Sequence, residues 1–258
     1  MQVILKKIET PTESPSVSRP RLLKTLHESL TSCTSTIITG RRGTGKTFLA
    51  TDFAHHSERR ASWYKVDASD SDLHIFFPYL VESVRRQCPG FGKEALARLA
   101  DTSGPEDIPS LAEAFLYDLQ ECQREPLLIV IDDLHLIYDA QWVVPFFRRM
   151  LPLLPAEAHV FIIGRSIPPA PLWRMRSKQI LCLIEESELA FNLHEANELF
   201  DSYDLAQVDA RAMLEQAHGR ASVLDAMARK LSQIEHGGVE TFAGEKTFRR
   251  AELQEARG

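Results

Sequence analysis

The chain has 258 residues, 44% of them hydrophobic and 26% charged, which suits one large α/β domain with room for a helical appendage. A formal net charge of −6 argues against a surface that grips nucleic acid through clustered Lys and Arg, so DNA contact is expected only through a domain outside this chain. The N-terminal apolar run is too short for a secretory signal, and no stretch approaches the ~18 apolar residues of a membrane helix, so a cytoplasmic location is expected.

Residues 1–17 turn polar and Pro/Ser-bearing after a short apolar start, the pattern of an N-terminal arm. Arg21 to Leu30 spaces leucines at 22, 23, 26 and 30, one face of a helix. Thr36 to Thr39 is a β-branched strand, and Thr44 to His56 has helical character. Residues 61–68 (ASWYKVDA) form a second strand candidate, and Asp72 to Gln87 carries a strong helical period. A short helix and a loop are expected in the polar stretch 90–109, then a helix from Leu111 to Cys122. The runs 127–133 (LLIVIDD) and 159–165 (HVFIIGR) suit strands buried on both faces of a parallel sheet, and 179–186 (QILCLIEE) a further strand. From Asn192 the pattern is helical only. Alternating strands and helices predict a doubly wound α/β sheet over 18–190, a small helical subdomain over 191–235 and a tail or linker over 236–258. Cys33, Cys88, Cys122 and Cys182 are scattered with no Cys-x-x-Cys pair and are expected to be buried reduced thiols.

Gly40-Arg-Arg-Gly-Thr-Gly-Lys-Thr47 fits G-x-x-x-x-G-K-[ST] without a mismatch and sits between a strand and a helix. In that context glycines let backbone N–H groups turn inward around a polyphosphate, and the helix offers its positive N-terminus to the same anion. The expected cradle is Gly40, Arg41, Arg42, Gly43, Thr44, Gly45, Lys46, Thr47 and Phe48. Lys46 would bridge the outer phosphates and the Thr47 hydroxyl would ligate Mg²⁺. The fold class that follows is a P-loop NTPase three-layer sandwich with a mostly parallel sheet. LLIVIDD sets Asp132 and Asp133 at the end of a buried strand, where open α/β sheets collect ligands. Asp132 is the candidate metal ligand, and Asp133 the candidate for orienting the attacking water; an acidic helix cap is the alternative for either. Arg165, at the end of another strand, can sense the γ-phosphate electrostatically or lie on the surface. The Asn-Lys-x-Asp guanine signature and the Leu-Ser-Gly-Gly stretch are both absent, which points to an adenine nucleotide.

SRPRLLKTL, GKTFLA, WYKVDASDSDLHIFFPYLVESVRR, LLIVIDDLHLI, HVFIIGRSIPP and LAFNLHEANELF follow one another in that order. Together they resemble the nucleotide-binding domain of the MalT-like signal-transducing ATPases (the STAND class), which includes the large LuxR-type ATP-binding transcription regulators. The resemblance runs from about Ser18 to about Leu231. It implies that Arg19 and Arg21 lie against the base and ribose, that Asp132 and Asp133 are the Walker B pair, and that Arg165 is a sensor arginine. Trp63 and Asp67 match the family's second strand, and Asp70 the acidic residue beyond it. Gly164 stands where the family often has Ser, and Arg220 where it has Trp. Arg41 and Arg42 replace a more apolar loop, in a role either structural or functional. The resemblance implies an ATP/ADP-binding switch that hydrolyses slowly and acts through self-association or a partner protein. In that class a winged helix, a repeat sensor and an effector normally follow, so a fragment of a longer regulator or a stand-alone module is expected. A phosphotransferase with an acceptor pocket near Gly90–Pro109 and a scaffold that holds nucleotide permanently are the alternatives.

Overall fold

Five strands lie side by side in the order β2-β3-β4-β1-β5, and every pairing is parallel. They are β1 (Ser35–Thr39), β2 (Arg60–Lys65), β3 (Leu127–Asp132), β4 (Ala158–Gly164) and β5 (Leu181–Ile184). This computed structural model describes residues 4–12, 17–122 and 125–234. The expected tail 236–258 lies outside the described residues.

Side chains alternate between the two faces of a strand, so the register sorts the apolar residues into two layers. Tyr64, Ile131, Ile162, Ile37 and Leu183 form one continuous row across all five strands and belong to the larger core. The opposite face carries Trp63, Val130 and Phe161 in one row and Ile163, Ile38 and Ile184 in another. Helices α1 (Pro20–Ser32) and α2 (Lys46–His56) cover this second face with Leu22, Leu26, Leu49 and Phe53. The first face is covered by α3 (Leu73–Arg85), α4 (Lys93–Asp101), α5 (Ile108–Glu121) and α6 (Val143–Met150), whose Phe76, Phe77, Phe115, Phe146 and Phe147 interlock mostly edge to face. With both faces covered, β1, β3 and β4 are wholly buried, which is why residues 127–131 of β3 and 160–163 of β4 run apolar without a break.

Two short helices, α7 (Ala170–Trp173) and α8 (Glu186–Leu189), flank β5. One compact unit runs from Met1 to Leu189 and a second from Ala190 to Gly258. In the second unit α9 (Leu193–Asp201) opens with a capping box in which Asn192 accepts from the Glu195 N–H and Glu195 accepts from the Asn192 N–H. Helix α10 (Ala210–Ala217) is capped by Asp209 and closes through His218 and Gly219, both at positive φ. Helix α11 follows over residues 221–234, where the Arg220 carbonyl accepts from the Val223 and Leu224 N–H groups.

Two expectations are corrected. The segment read as an N-terminal arm packs against the domain where it is described: Ile8 is buried in the larger core. Lys7 Nζ contacts Asp70 at 2.6 Å and Asp67 at 2.9 Å and lies 4.7 Å from the centre of the Tyr79 ring. A lysine in a short polar segment near the N-terminus does not announce partners about 60 residues away. Nor are the cysteines four buried residues: all four are only partly buried, and the side chains of Cys88 and Cys122 meet, with Cα atoms 6.1 Å apart. The contact joins the end of α3 to the end of α5, a proximity invisible at a sequence separation of 34. Cys33 and Cys182 are free.

Asp70 is fully buried, and besides Lys7 it accepts from the Asp67 N–H at 2.8 Å. Burial works against the Lys7 charge, but the hydrogen bonds to Asp70 and Asp67 outweigh it and raise the ammonium pKa. A raised lysine pKa stabilises the fold below the unfolded value of 10.5, and that stabilisation is lost as pH climbs through the folded value. Asp70→Ala leaves the Lys7 charge half-stranded and is expected to cost about 3 kcal/mol. Urea unfolding at pH 7 measures it, and in a Lys7→Ala background the same change should cost far less.

Candidate phosphate site

The turn after β1 has a physical reason for each of its glycines. Gly43 and Gly45 sit at φ 85° and 83°, a region that disfavours side chains. Gly40 has an ordinary φ, but a Cβ there would come within 3.2 Å of the Glu186 Cβ and 3.3 Å of its Cα. Helix α2 starts at Lys46, so the N–H groups of Lys46, Thr47 and Phe48 have no partner inside the helix and are available to an anion. The Phe48 ring itself is exposed.

Lys46 folds back over this turn, donating to the Gly40 carbonyl at 2.6 Å and the Arg41 carbonyl at 2.9 Å. Thr44 Oγ1 donates to the Arg41 carbonyl at 3.0 Å, closing the loop from within. Burial lowers the Lys46 pKa, while the carboxylates of Asp132 and Asp133 pull it back up. An incoming phosphate would exchange the carbonyl partners of this ammonium for a full negative charge.

Strand period explains how the second element arrives. Asp132 shares the β3 face of Leu128 and Val130, the face that α2 covers. Its Oδ2 accepts from Thr47 Oγ1 at 3.0 Å and its Oδ1 from the Asp133 N–H at 3.0 Å. At 1% exposure the carboxyl pKa rises to about 6, chiefly through burial and then through Asp133. A buried carboxylate beside a hydroxyl, with its charge poorly compensated, fits a hard divalent cation. The residues therefore suit Mg²⁺ held by Thr47 and Asp132.

Asp133 leaves the strand at φ 61°, a conformation that costs a non-glycine residue energy and turns its side chain out of the β3 rows. Its Oδ1 lies 4.0 Å from Arg165 Nε and 3.7 Å from His135 Nδ1. Arg165 stands at the end of β4, largely exposed, and so is the half of the pair that can move. His135 was not singled out by sequence reasoning, although it stands in LLIVIDDLHLI. Burial lowers its pKa, so it is neutral at pH 7, and its buried Nδ1 has no hydrogen-bond partner. Gly164, the departure from serine, leaves room here: a Cβ would meet the Tyr138 hydroxyl at 3.2 Å and the His135 Cβ at 3.4 Å.

The arginines ahead of the loop are placed differently from the expectation. Arg19 is 4% exposed, and its guanidinium donates to the carbonyls of Gly45 at 2.8 Å and Leu189 at 3.0 Å. It therefore braces the phosphate loop from behind rather than standing open toward a base. Arg21 donates to the Glu188 carbonyl at 2.6 Å. Arg41 is bound to Glu186 through both its N–H and its side chain, and Arg42 is exposed. Glu186 is the second residue that sequence reasoning missed, because it looked like the polar end of a strand. Trp63 is a core residue, and Asp67 and Asp70 serve the cap after β2 and the Lys7 contact.

Residues 17–163 match the family described as the AAA ATPase domain. The transcriptional regulator MalT of Yersinia enterocolitica is 28% identical over 216 residues, which are 83% of this chain and 23% of that protein. MalT of Yersinia pestis matches to the same extent. The chain thus spans less than a quarter of the length of these curated relatives. Among solved structures, a Walker-type ATPase of Pyrococcus abyssi aligns at 13% identity and a TM-score of 0.46, over 95% of this chain and 80% of that one. No helix among the described residues is long and apolar enough to cross a membrane.

The raised Asp132 pKa has a signed consequence. The folded group binds its proton more tightly than the unfolded one, so its contribution favours folding below pH 3.8 and is lost as pH rises through about 6. In metal-free protein Asp132→Asn is therefore expected to be stabilising at pH 8, by about 1–3 kcal/mol, and nearly neutral at pH 4. Thermal melting across that range checks it, and Mg²⁺ should raise the melting temperature of the wild type but not of Asp132→Asn.

Proposed function

The chain belongs to the AAA ATPase domain family, and on that premise we propose that it is a switch module that binds ATP and ADP. ATP marks one state and slow hydrolysis restores the other. The observation that carries the reading is the 3.0 Å bond between Thr47 and Asp132, which joins the phosphate loop to the end of β3 at the place a nucleotide-bound cation would occupy. When bound, Mg²⁺ supplies charge neutralisation and polarises a phosphoryl oxygen. Around it Lys46 meets the outer phosphates, the N–H groups at the start of α2 hold the polyphosphate, and Arg165 answers charge developing at the γ-position. Asp133 accepts a hydrogen bond from the attacking water and orients it. The missing guanine signature favours adenine.

A switch fits this site better than a fuel-driven motor. Lys46, Arg19 and Arg41 have partners within the protein that a nucleotide would have to exchange, so binding would rearrange bonds and move an equilibrium between states. The likeness to MalT over 83% of the chain supports a place in a MalT- or LuxR-type transcription regulator in the cytoplasm, acting through self-association or a partner protein. DNA would be read by a part of such a protein other than this ATPase domain. The phosphotransferase alternative draws no support from residues 90–109, because α4 packs Ala95 and Leu99, and the start of α5 packs Ile108, into the core. No observation favours the scaffold that holds its nucleotide permanently.

Lys46→Ala is expected to weaken ATP binding at least about 100-fold with the fold intact, by calorimetry with Mg²⁺ present. Asp133→Asn should leave ATP affinity within about threefold yet slow single-turnover phosphate release by about 100-fold. Unchanged release in that variant would remove Asp133 from its role.

A further inference from the structure

Helix α8 carries an unusual density of contacts to the phosphate loop. Glu186 Oε2 accepts from the Arg41 N–H at 2.7 Å, and its Oε1 accepts from Arg41 Nε at 2.6 Å. The Glu186 backbone lies so close to Gly40 that the first glycine of the motif has no space for a side chain. The Glu188 carbonyl accepts from Arg21, and the Leu189 carbonyl accepts from Arg19, whose other nitrogen holds the Gly45 carbonyl. Three of the four residues of α8 are thus tied to the loop or to the arginines that flank it. Leu189 is also the last residue of the first unit, and the second begins at Ala190.

The charges set up a competition. Glu186 binds Arg41, and its charge also acts on Lys46, where burial disfavours the ammonium and the carboxylates of Asp132, Asp133 and, least, Glu186 favour it. A nucleotide polyphosphate seeks the same two cations and repels the carboxylate. The Arg41 side chain is 72% exposed, so its pair with Glu186 is weak and a multivalent anion can displace it.

We propose that Glu186 is a positioning residue that holds the loop in its nucleotide-free form and yields Arg41 to the polyphosphate, so that binding frees α8 at the entrance to the helical unit. The proposal rests on the nucleotide-binding reading and names the element through which the bound state leaves the site. Arg41, ambiguous from sequence alone, becomes the residue over which carboxylate and phosphate compete.

The test pairs calorimetry of MgATP and MgADP with hydrogen exchange of the amides at 186–189, in wild type, Glu186→Gln and Glu186→Ala. Glu186→Gln keeps size and hydrogen-bonding capacity but loses the charge, and is expected to bind MgATP about 5- to 10-fold tighter at an unchanged melting temperature. In wild type, saturating MgATP should speed exchange at Glu188 and Leu189, whose N–H groups bond the Glu185 carbonyl. In Glu186→Ala those amides should exchange fast without nucleotide. Equal or weaker MgATP affinity in both variants overturns the proposal, as does unchanged exchange in saturated wild type. Wild type that binds nucleotide with α8 undisturbed overturns the role of Glu186 alone. Failure of all three proteins to bind at millimolar nucleotide overturns the nucleotide-binding reading as well.

Discussion

A parallel sheet covered on both faces leaves little room for charged groups along its strands, and that constraint organises the rest of the molecule. β1, β3 and β4 are buried from end to end, so charged groups collect where the strands stop. Parallel pairing puts every C-terminal stop on the same edge. Asp132, Thr39 with the loop beyond it, and Gly164 with Arg165 therefore converge although 125 residues of chain separate the first of these strands' ends from the last. Convergence alone would not place Asp132 against Thr47. The alternation of β3 does that, by giving Asp132 the face that α2 packs upon.

Much of this was legible because the residues that punctuate the elements also carry the chemistry. The glycines of 40–47 end a strand, start a helix and suit phosphate for one reason, a set of backbone N–H groups left without partners in the helix. LLIVIDD announces a buried strand and its polar end in seven letters. The helix Val143–Met150 was harder to see, since it is short and carries a proline, although exposed Arg148 and Arg149 stand opposite its buried apolar face. Roles were less legible than positions. Arg19 was assigned to the base by resemblance, yet its guanidinium is committed to the Gly45 and Leu189 carbonyls. Which partner an arginine takes depends on contacts up to 170 residues away, and no local pattern encodes them. The same limit hid Glu186, the Lys7–Asp70 pair and the Cys88–Cys122 contact.

The polar residues also divide by what they do to the fold. His159 is buried, bonded to Thr36 Oγ1 at 2.9 Å, and its pKa falls to about 3 through burial and then Arg59. It sits near the start of β4, away from the strand ends that form the site, and Thr36 and Ser29 complete its hydrogen bonding in a closed chain. A satisfied buried histidine of that kind is part of the core. His135 differs in every respect that matters: it neighbours Asp133 and Arg165, and its Nδ1 has no partner. Two histidines of one chain are thus separated by their environment.

Lys46 and Asp132 are both buried charges of the site, and their pKa values shift in opposite directions. Each shift disfavours the charged form, so burial presses both groups toward neutrality. A phosphate beside Lys46 restores the advantage of the ammonium, and a divalent cation beside Asp132 restores that of the carboxylate. Neither ligand alone relieves both strains, because the anion by itself raises the negative potential at Asp132 and the cation by itself raises the positive potential at Lys46. Together they cancel at both positions. The arrangement therefore suits the pair, and each ligand's affinity would depend on the presence of the other through a coupling that acts equally in both directions. The same logic explains why Thr47 stands between them: its hydroxyl now donates to Asp132 and has lone pairs left for a metal.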